Sequence, residues 1–287
     1  MVQQPLVSVC IPAYNNGEYI AETLESVLRQ RYADFEIIIV DDCSTDDTVS
    51  IVRRFRDSRI RLNRNKTNLG LGRNWNKAIS LANGKYLKVL CGDDVIHPDC
   101  LQRQSGQLED PANANVVLAV CGSEVINSNN DVVLRRNPRF PAGRVSGQTL
   151  IRKCVRWGTN LVGEPAVGLF RRDVLARSGL FDPTNPYLID LAFWAQLLKQ
   201  GDAFVDQTRL AAFRISPSSV STKTGFHQAA CFRHFVQKLC TDPTWKTTTL
   251  DVTMGRALSF QWCLFRNIFI KTRGGRLPAT ITQSTPK

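Results

Sequence analysis

Apolar positions fall into two alternating kinds of run. Leu6–Ile11 (LVSVCI) is a short continuous apolar stretch ending at Pro12, the pattern of a buried strand. Ile20, Leu24, Val27 and Leu28 then recur at helical spacing. Phe35–Val40 (FEIIIV) reads as a second buried strand, stopped by Asp41 and Asp42. Ser44 with Asp47 three residues on resembles a capping box, opening a helix with Val49, Val52 and Phe55. Ile60–Leu62 is a short third strand, and Asn74–Ala82 a helix closed by Asn83 and Gly84. Tyr86–Leu90 is a fourth strand, ending at Gly92, Asp93 and Asp94. This alternation predicts an α/β protein with a mostly parallel sheet flanked by helices. Ligands of such sheets bind outside the carboxyl ends of the strands. The polar clusters Pro12–Asn15, Asp41–Asp46 and Gly92–Asp94 all follow strand ends, so they are expected to meet in one crevice.

The middle of the chain is less regular. Val116–Val120 reads as a strand, and Asn129 and Asn130 before Val132–Leu134 signal a hairpin. Ser146 to about Val155 reads as a helix. Gly163–Phe170 leads into a helix at Arg172–Arg177, ended by Gly179. Leu188–Leu198 is the best helix of this region, with Gly201 just past it. Ser216–Gly225, rich in Ser, Thr, Pro and Gly, reads as a loop, and helices follow over about 227–239 and 254–270. Residues from about Gly274 read as a tail with little to bury.

Composition adds charge to this picture. The 287 residues are 43% hydrophobic and 22% charged, an ordinary globular balance that needs no disulfide or metal to fold. No uncharged apolar run approaches the roughly 20 residues that span a bilayer, and no basic-then-apolar leader opens the chain. The expectation is therefore a cytoplasmic protein. The nine cysteines show no CxxC pair and no zinc spacing, and read as isolated thiols in a reducing compartment. The net charge of +12 suits an acidic partner: nucleic acid, anionic lipid or a phosphorylated small molecule. Residues 51–90 hold eleven basic residues and one acid, so much of the surplus reads as a solvated face. No helix-turn-helix, zinc or RNA-binding motif supports nucleic acid, which is not expected as a partner.

Each candidate site has two readings. Asp93 and Asp94 after a buried strand are costly to leave unpaired; a divalent cation with a diphosphate would stabilise them, and a solvated turn would explain them equally. Asp42 suits a nucleobase or ribose, or a helix cap. Asn68–Asn74 (NLGLGRN) is a small-residue loop offering Arg73 to phosphates, yet it is neither a P-loop nor a dinucleotide fingerprint. Asp190 and Trp194 lie one turn apart on an apolar helix, where the Asp serves as a base, a cap or an ion-pair partner. Ala257, Leu258, Phe260, Trp262, Leu264, Phe265, Ile268 and Phe269 lie among Arg256, Arg266, Lys271, Arg273 and Arg276. That helix suits an anionic membrane interface, or packs on the rest of the protein.

The order and spacing of these segments resemble glycosyltransferase family 2, the nucleotide-sugar-dependent enzymes of GT-A fold. The residues that carry the likeness are Val7–Asn15 (VSVCIPAYN), Ile39–Asp46 (IVDDCSTD), Asn68–Asn74, Leu90–Asp94 (LCGDD) with Pro98, Gly179–Asp182 (GLFD) and Asp190 with Trp194. They cover about residues 5–222. The resemblance implies a Rossmann-like GT-A domain with a nucleotide-sugar half (1–110), an acceptor half (111–222) and a C-terminal helical extension (223–287). It implies that Pro12, Ala13 and Tyr14 line the base pocket, that Asp42 binds the base edge, and that Arg73 lies near the diphosphate. Asp93 and Asp94 match the family's Asp-X-Asp region, one on ribose, with Asp94 as ligand to Mn²⁺ or Mg²⁺. Glu164 and Trp194 fall on the acceptor side, and Asp190 matches the general base.

The implied reaction moves a sugar from a nucleotide diphosphate sugar, UDP above all, to an acceptor hydroxyl with inversion, in polysaccharide or glycolipid assembly. The acceptor would be a saccharide or a lipid-linked one, with the enzyme peripheral on the inner membrane face. Two departures keep a catalytically silent nucleotide binder open. Cys91 or Gly92 stands where many relatives carry a further acid, and Arg214-Ile215-Ser216 lacks a His that His227 would have to replace.

Overall fold

A computed structural model describes residues 5–185, 187–215 and 228–273. The apolar runs of the first hundred residues become β1 (Val7–Ala13), β2 (Phe35–Asp41), β3 (Ile60–Arg64) and β4 (Tyr86–Val89). All pair in parallel: β2 lies between β3 and β1, and β4 on the far side of β1. Their connections hold α1 (Ile20–Leu28), α2 (Thr48–Val52) and α3 (Leu71–Ser80). The chain continues through β5 (Val95–Ile96), α4 (Cys100–Glu109), β6 (Val116–Ile126), β7 (Val132–Arg136), β8 (Gly143–Val145) and α5 (Gly147–Trp157). It ends with β9 (Gly168–Arg171), α6 (Leu175–Ser178), α7 (Ile189–Leu198), β10 (Asp202–Arg214), α8 (Gln228–Cys240) and α9 (Thr249–Arg273).

One sheet runs in the order β3-β2-β1-β4-β9-β6-β10-β5, with β7 paired to β6 and β8 to β10. Strand period two sends alternate side chains to opposite faces. Cys10, Ile38, Val40, Leu87 and Val89 join one core, with α3, α5, α7 and α8. Val7, Val9, Ile11, Ile37 and Ile39 join the other, with α1 and α4. The C-terminal helix α9 lies on α5 at a close crossing. A Cβ on Gly255 would meet Val155 O at 1.9 Å, so only glycine allows that approach.

Several local expectations need correction. Ser44 and Asp47 form no capping box: Ser44 Oγ accepts from Asn15 N (2.9 Å), and Asp46 Oδ1 takes Thr48 N (3.0 Å) at the head of α2. That helix stops at Val52, short of Phe55. Asn68–Asn74 is not all loop, because α3 starts at Leu71 and holds Gly72 and Arg73 in its first turn. The cause is Asp42, whose carboxylate accepts from Leu69 N (2.8 Å) and Gly70 N (2.9 Å) and fixes the chain as it enters the helix. Gly163–Phe170 does not lead straight into a helix. Its end forms β9, which fills the gap between β4 and β6 and leaves only the short α6 after it. The expected loop at Ser216–Gly225 and the tail from Gly274 lie outside the described residues.

Candidate functional site

The carboxyl ends of β1, β2 and β4 open into one crevice of about 870 Å³, lined by Pro12, Ala13, Tyr14, Asp42, Asp93 and Asp94 among others. The three strand-end loops meet there as the sequence led us to expect, and side-chain hydrogen bonds knit them together. Asn15 Oδ1 accepts from Thr45 N (2.9 Å), and Asn16 N donates to Thr48 Oγ1 (2.8 Å). Gly92 lets the third loop close on the first, since a Cβ there would lie 2.7 Å from Asn16 Oδ1. Ala13 is buried at the end of β1, and Tyr14 is exposed beside it. Asp42 reaches the crevice, but both its oxygens are engaged: Asn65 Nδ2 donates to Oδ1 (2.7 Å), beside the two amides already named.

At the floor, ligand atoms of Cys91, Asp93 and Asp94 all lie within 4.8 Å of one another. Asp94 is 1% exposed. Its Oδ1 accepts from Arg214 N (3.0 Å), and its Oδ2 is buried with no hydrogen-bond partner. Burial pushes the Asp93 carboxyl up to about 6, against the pull of a backbone hydrogen bond and the Arg214 charge. Burial and then the Asp93 charge raise Asp94 well above the usual carboxylate range. The Cys91 thiol is raised by burial and by both carboxylates. Three crowded groups that each resist ionisation are what a cation relieves. The orphaned Asp94 oxygen and the two-carboxylate set fit a divalent ion, and the thiol favours Mn²⁺ over Mg²⁺. Glu164 faces the same space; Oε2 accepts from Arg136 Nη1 (2.9 Å), and Oε1 is buried and unpartnered.

Asp190, in the first turn of α7, forms another part of the wall. Burial pushes its carboxyl up to about 7, and the Glu164 charge adds to this. Hydrogen bonds from Leu191 N (2.7 Å, to Oδ1) and Asn160 Nδ2 (3.0 Å, to Oδ2), with the Arg266 charge, pull the other way. Asn160 is itself locked, since Oδ1 accepts from Val162 N and Gly163 N. A half-buried carboxyl near neutral pH, with its orientation fixed, is suited to accept a proton.

Two expected residues lie elsewhere. Arg73 is exposed and does not line the crevice; it borders a small separate hollow with Pro183 and Thr184. Helix α3 carries it there by starting at Leu71. Trp194 is fully buried behind the wall, where it meets Phe170 and Phe193 and donates from Nε1 to Gly163 O (3.0 Å). It supports the segment that carries Asn160 and Glu164. Ser216 and His227 lie outside the described residues. Sequence reading passed over Asn160 and the arginines of the β7–β8 segment, and saw Arg214 only as a motif fragment.

The sequence profile described as "Glycosyl transferase family 2" matches residues 8–178, more than half of the chain. The chain belongs to glycosyl transferase family 2. Among its curated relatives is the uncharacterized protein MT1568 of Mycobacterium tuberculosis, 36% identical over 204 residues. That alignment covers 68% of this chain and 62% of MT1568, so this chain spans less than two thirds of that relative. Among solved structures, S. aureus TarS 1-349 in complex with UDP-GlcNAc superposes with a TM-score of 0.67 at 19% identity, over 93% of this chain and 73% of that one. The mannosyltransferase PcManGT from Pyrobaculum calidifontis, with GDP-Man and Mn²⁺, gives 0.64 at 20%, over 96% and 78%. The fold of this chain is therefore GT-A, with its crevice at the carboxyl ends of β1, β2 and β4.

Proposed function

We propose that this glycosyltransferase transfers a sugar from a UDP-sugar to an acceptor hydroxyl, with inversion, in the assembly of a saccharide or lipid-linked saccharide. The observation that carries the reading is Asp190: a carboxyl pushed up to about 7 in the same cavity as Asp93 and Asp94. In the step we infer, the Asp190 carboxylate takes the proton of the acceptor hydroxyl. The acceptor oxygen bonds to the anomeric carbon as the bond from that carbon to the diphosphate oxygen breaks. The bonding pair leaves with UDP, and attack opposite the leaving group inverts the centre. Asn160 keeps Asp190 Oδ2 aimed during this transfer. Pro12, Ala13, Tyr14 and Asp42 frame the base, and Asp93 the ribose. Asp94, with Asp93 and Cys91 beside it, would hold Mn²⁺ or Mg²⁺. Such an ion, when bound, supplies positive charge to the departing diphosphate. Arg73, outside the crevice, has no part in this reading.

The test is calorimetry of UDP, GDP and dTDP with and without Mn²⁺. UDP is expected to bind most tightly, and Mn²⁺ to strengthen it about tenfold or more. Asp94→Asn is expected to remove the Mn²⁺ gain and leave weaker, metal-independent binding. No binding of any of the three nucleotides would reject the reading. Tight binding without any sugar transfer would favour the silent relative.

The outward face of α9 supports a second part of the proposal. Leu250, Met254, Phe260 and Leu264 are exposed at helical spacing, Phe260 by 61%, and Arg256 is exposed among them. On a chain of charge +12, this face suits an anionic phospholipid surface, which would make the enzyme peripheral on the inner membrane face. No described helix is long and apolar enough to cross a membrane. Sedimentation with phosphatidylglycerol vesicles is expected for the wild type. Phe260→Glu with Leu264→Glu should cut the bound fraction several-fold with UDP affinity unchanged. Equal sedimentation of variant and wild type would count against this part.

A further inference from the structure

The crevice carries both signs of charge. Its walls carry Asp42, Asp93, Asp94, Glu164 and Asp190, and also Arg135 and Arg136 of β7; at α9 they carry Arg139, which meets Trp262, and Arg266. Arg135 is paired with Glu124, and Arg136 with Glu164. Arg139 and Arg266 have no carboxylate within 4.0 Å among the described residues. Both instead rest on aromatic rings. The Arg139 guanidinium stands 5.6 Å from the centroid of Trp262. Arg266, one helical turn after Trp262, stands 5.3 Å from the centroid of Tyr187 and donates from Nη1 to its hydroxyl (2.9 Å).

The rings are themselves anchored. Trp262 Nε1 donates to Trp157 O (2.9 Å), and Tyr187 Oη donates to Gln228 Oε1 (3.0 Å). A guanidinium held on a fixed ring loses little rotamer freedom when it takes up an oxyanion. Its planar fork matches phosphate and carboxylate alike. Among the described residues the crevice wall thus carries two carboxylate-free cations on rings: Arg139, over the Trp262 indole, and Arg266, over the Tyr187 ring and itself on a helix beyond the segment matched by the family profile.

We propose that this end of the crevice is an acceptor subsite for a saccharide carrying an oxyanion, phosphate or carboxylate. Arg139 and Arg266 hold the anion, and Trp262 lies against the sugar ring. The proposal rests on the glycosyltransferase reading above and names the acceptor class for that same site. Position supports it: the Arg266 charge is felt at Asp190, so an anion held there lies within electrostatic reach of the base. The strand-end floor, where Asp93 and Asp94 sit, is left to the donor.

The experiment uses the full-length protein saturated with UDP and Mn²⁺, titrated with glucose 6-phosphate, glucuronate and methyl glucoside. At least one anionic sugar is expected to bind about tenfold or more tightly than the neutral glycoside, as charge-assisted hydrogen bonds allow. The stronger of the two anions identifies its source as phosphate or carboxylate. Arg139→Gln with Arg266→Gln should abolish the preference, and Trp262→Ala should weaken all three sugars alike. If the double variant does not fold, Arg139→Gln alone, at an exposed position, should still reduce the preference several-fold.

Equal binding of the three sugars to the wild type would overturn the proposal. So would a preference that is undiminished in the arginine variants, or a loss of UDP affinity in the double variant, which would assign the guanidiniums to the donor. A wild type that binds no UDP is a failure of the donor reading instead. The same sugars are then compared on the nucleotide-free protein, where a preference lost in the arginine double variant supports the subsite and equal binding overturns it.

Discussion

Asp190→Asn is expected to lower sugar transfer by about 10²- to 10⁴-fold, the usual contribution of a positioned base. UDP affinity should stay within about twofold, because Asp190, in the first turn of α7, makes none of the loop contacts around Pro12–Asn16. The amide keeps the shape and can still accept from Asn160 Nδ2 or Leu191 N, so the loss is one of proton transfer. The wild-type rate should rise with pH through about 7, tenfold per unit below that value, as Asp190 loses its proton. The variant should lack this limb. UDP release from UDP-sugars, measured across pH for both proteins, checks the rate. A variant within about threefold of wild type would remove Asp190 from the base role.

Stability should move in the opposite direction. The folded pKa of about 7 stands above the unfolded value near 3.9, so the fold prefers the protonated acid. The preference is complete below the unfolded value and is lost as pH rises through 7. At pH 8 the wild type therefore holds an unfavourable charge that the amide lacks. Asp190→Asn should melt about 2–4 °C higher there, with a smaller gain near pH 5. Partial exposure of the carboxyl keeps that gain modest.

The strands that end at the site were legible for a physical reason. Val7–Ile11, Phe35–Val40 and Tyr86–Leu90 are buried on both faces, so each is a nearly unbroken apolar run with an abrupt polar stop. The long β10 was not legible. Its sequence DAFVDQTRLAAFR mixes buried and half-exposed positions, and register shifts between Val205 and Arg209 break the period-two pattern. β9 reads as the approach to a helix, because GLFR is only four residues long. At the site, the strand-end acids could be named from their positions, but their partners could not. Asp190 meets Asn160 across 30 residues, and Arg214 meets Glu22 across 192. No local pattern encodes such pairs. Arg73 shows the converse: its spacing after the glycines suggested a phosphate contact, and the early start of α3 turns it out of the crevice.

Arg214 is where the largest stability loss is expected. It closes β10, is 0% exposed, and joins three segments that the sequence separates widely. Its backbone N–H donates to Asp94 Oδ1, and Nε donates to Asp93 O (2.8 Å). Nη1 donates to Asn127 O (3.1 Å) and to Asn130 Oδ1 in the β6–β7 turn. Nη2 donates to Glu22 Oε2 of α1 (2.8 Å), and the guanidinium lies 4.6 Å from the centroid of the Tyr19 ring. Methionine at 214 would fill most of the volume and keep the backbone N–H on Asp94, but leave Asp93 O, Asn127 O and Asn130 Oδ1 without these donors and Glu22 without its counter-ion. Glu22 is 36% exposed and loses little with its counter-ion, but each buried acceptor left without a donor costs about 1–3 kcal/mol, against a total stability of about 5–15. Arg214→Met should therefore melt about 10 °C lower. Arg214→Lys should recover less than half of that, since an ammonium cannot reach all of these acceptors at once. Because Nε holds the Asp93 carbonyl, any folded variant should also lose the Mn²⁺ enhancement of UDP binding. Differential scanning calorimetry of the three proteins decides the matter: a fall of under about 2 °C in Arg214→Met would mean that the acceptors find other donors and that Arg214 does not hold the floor of the site together.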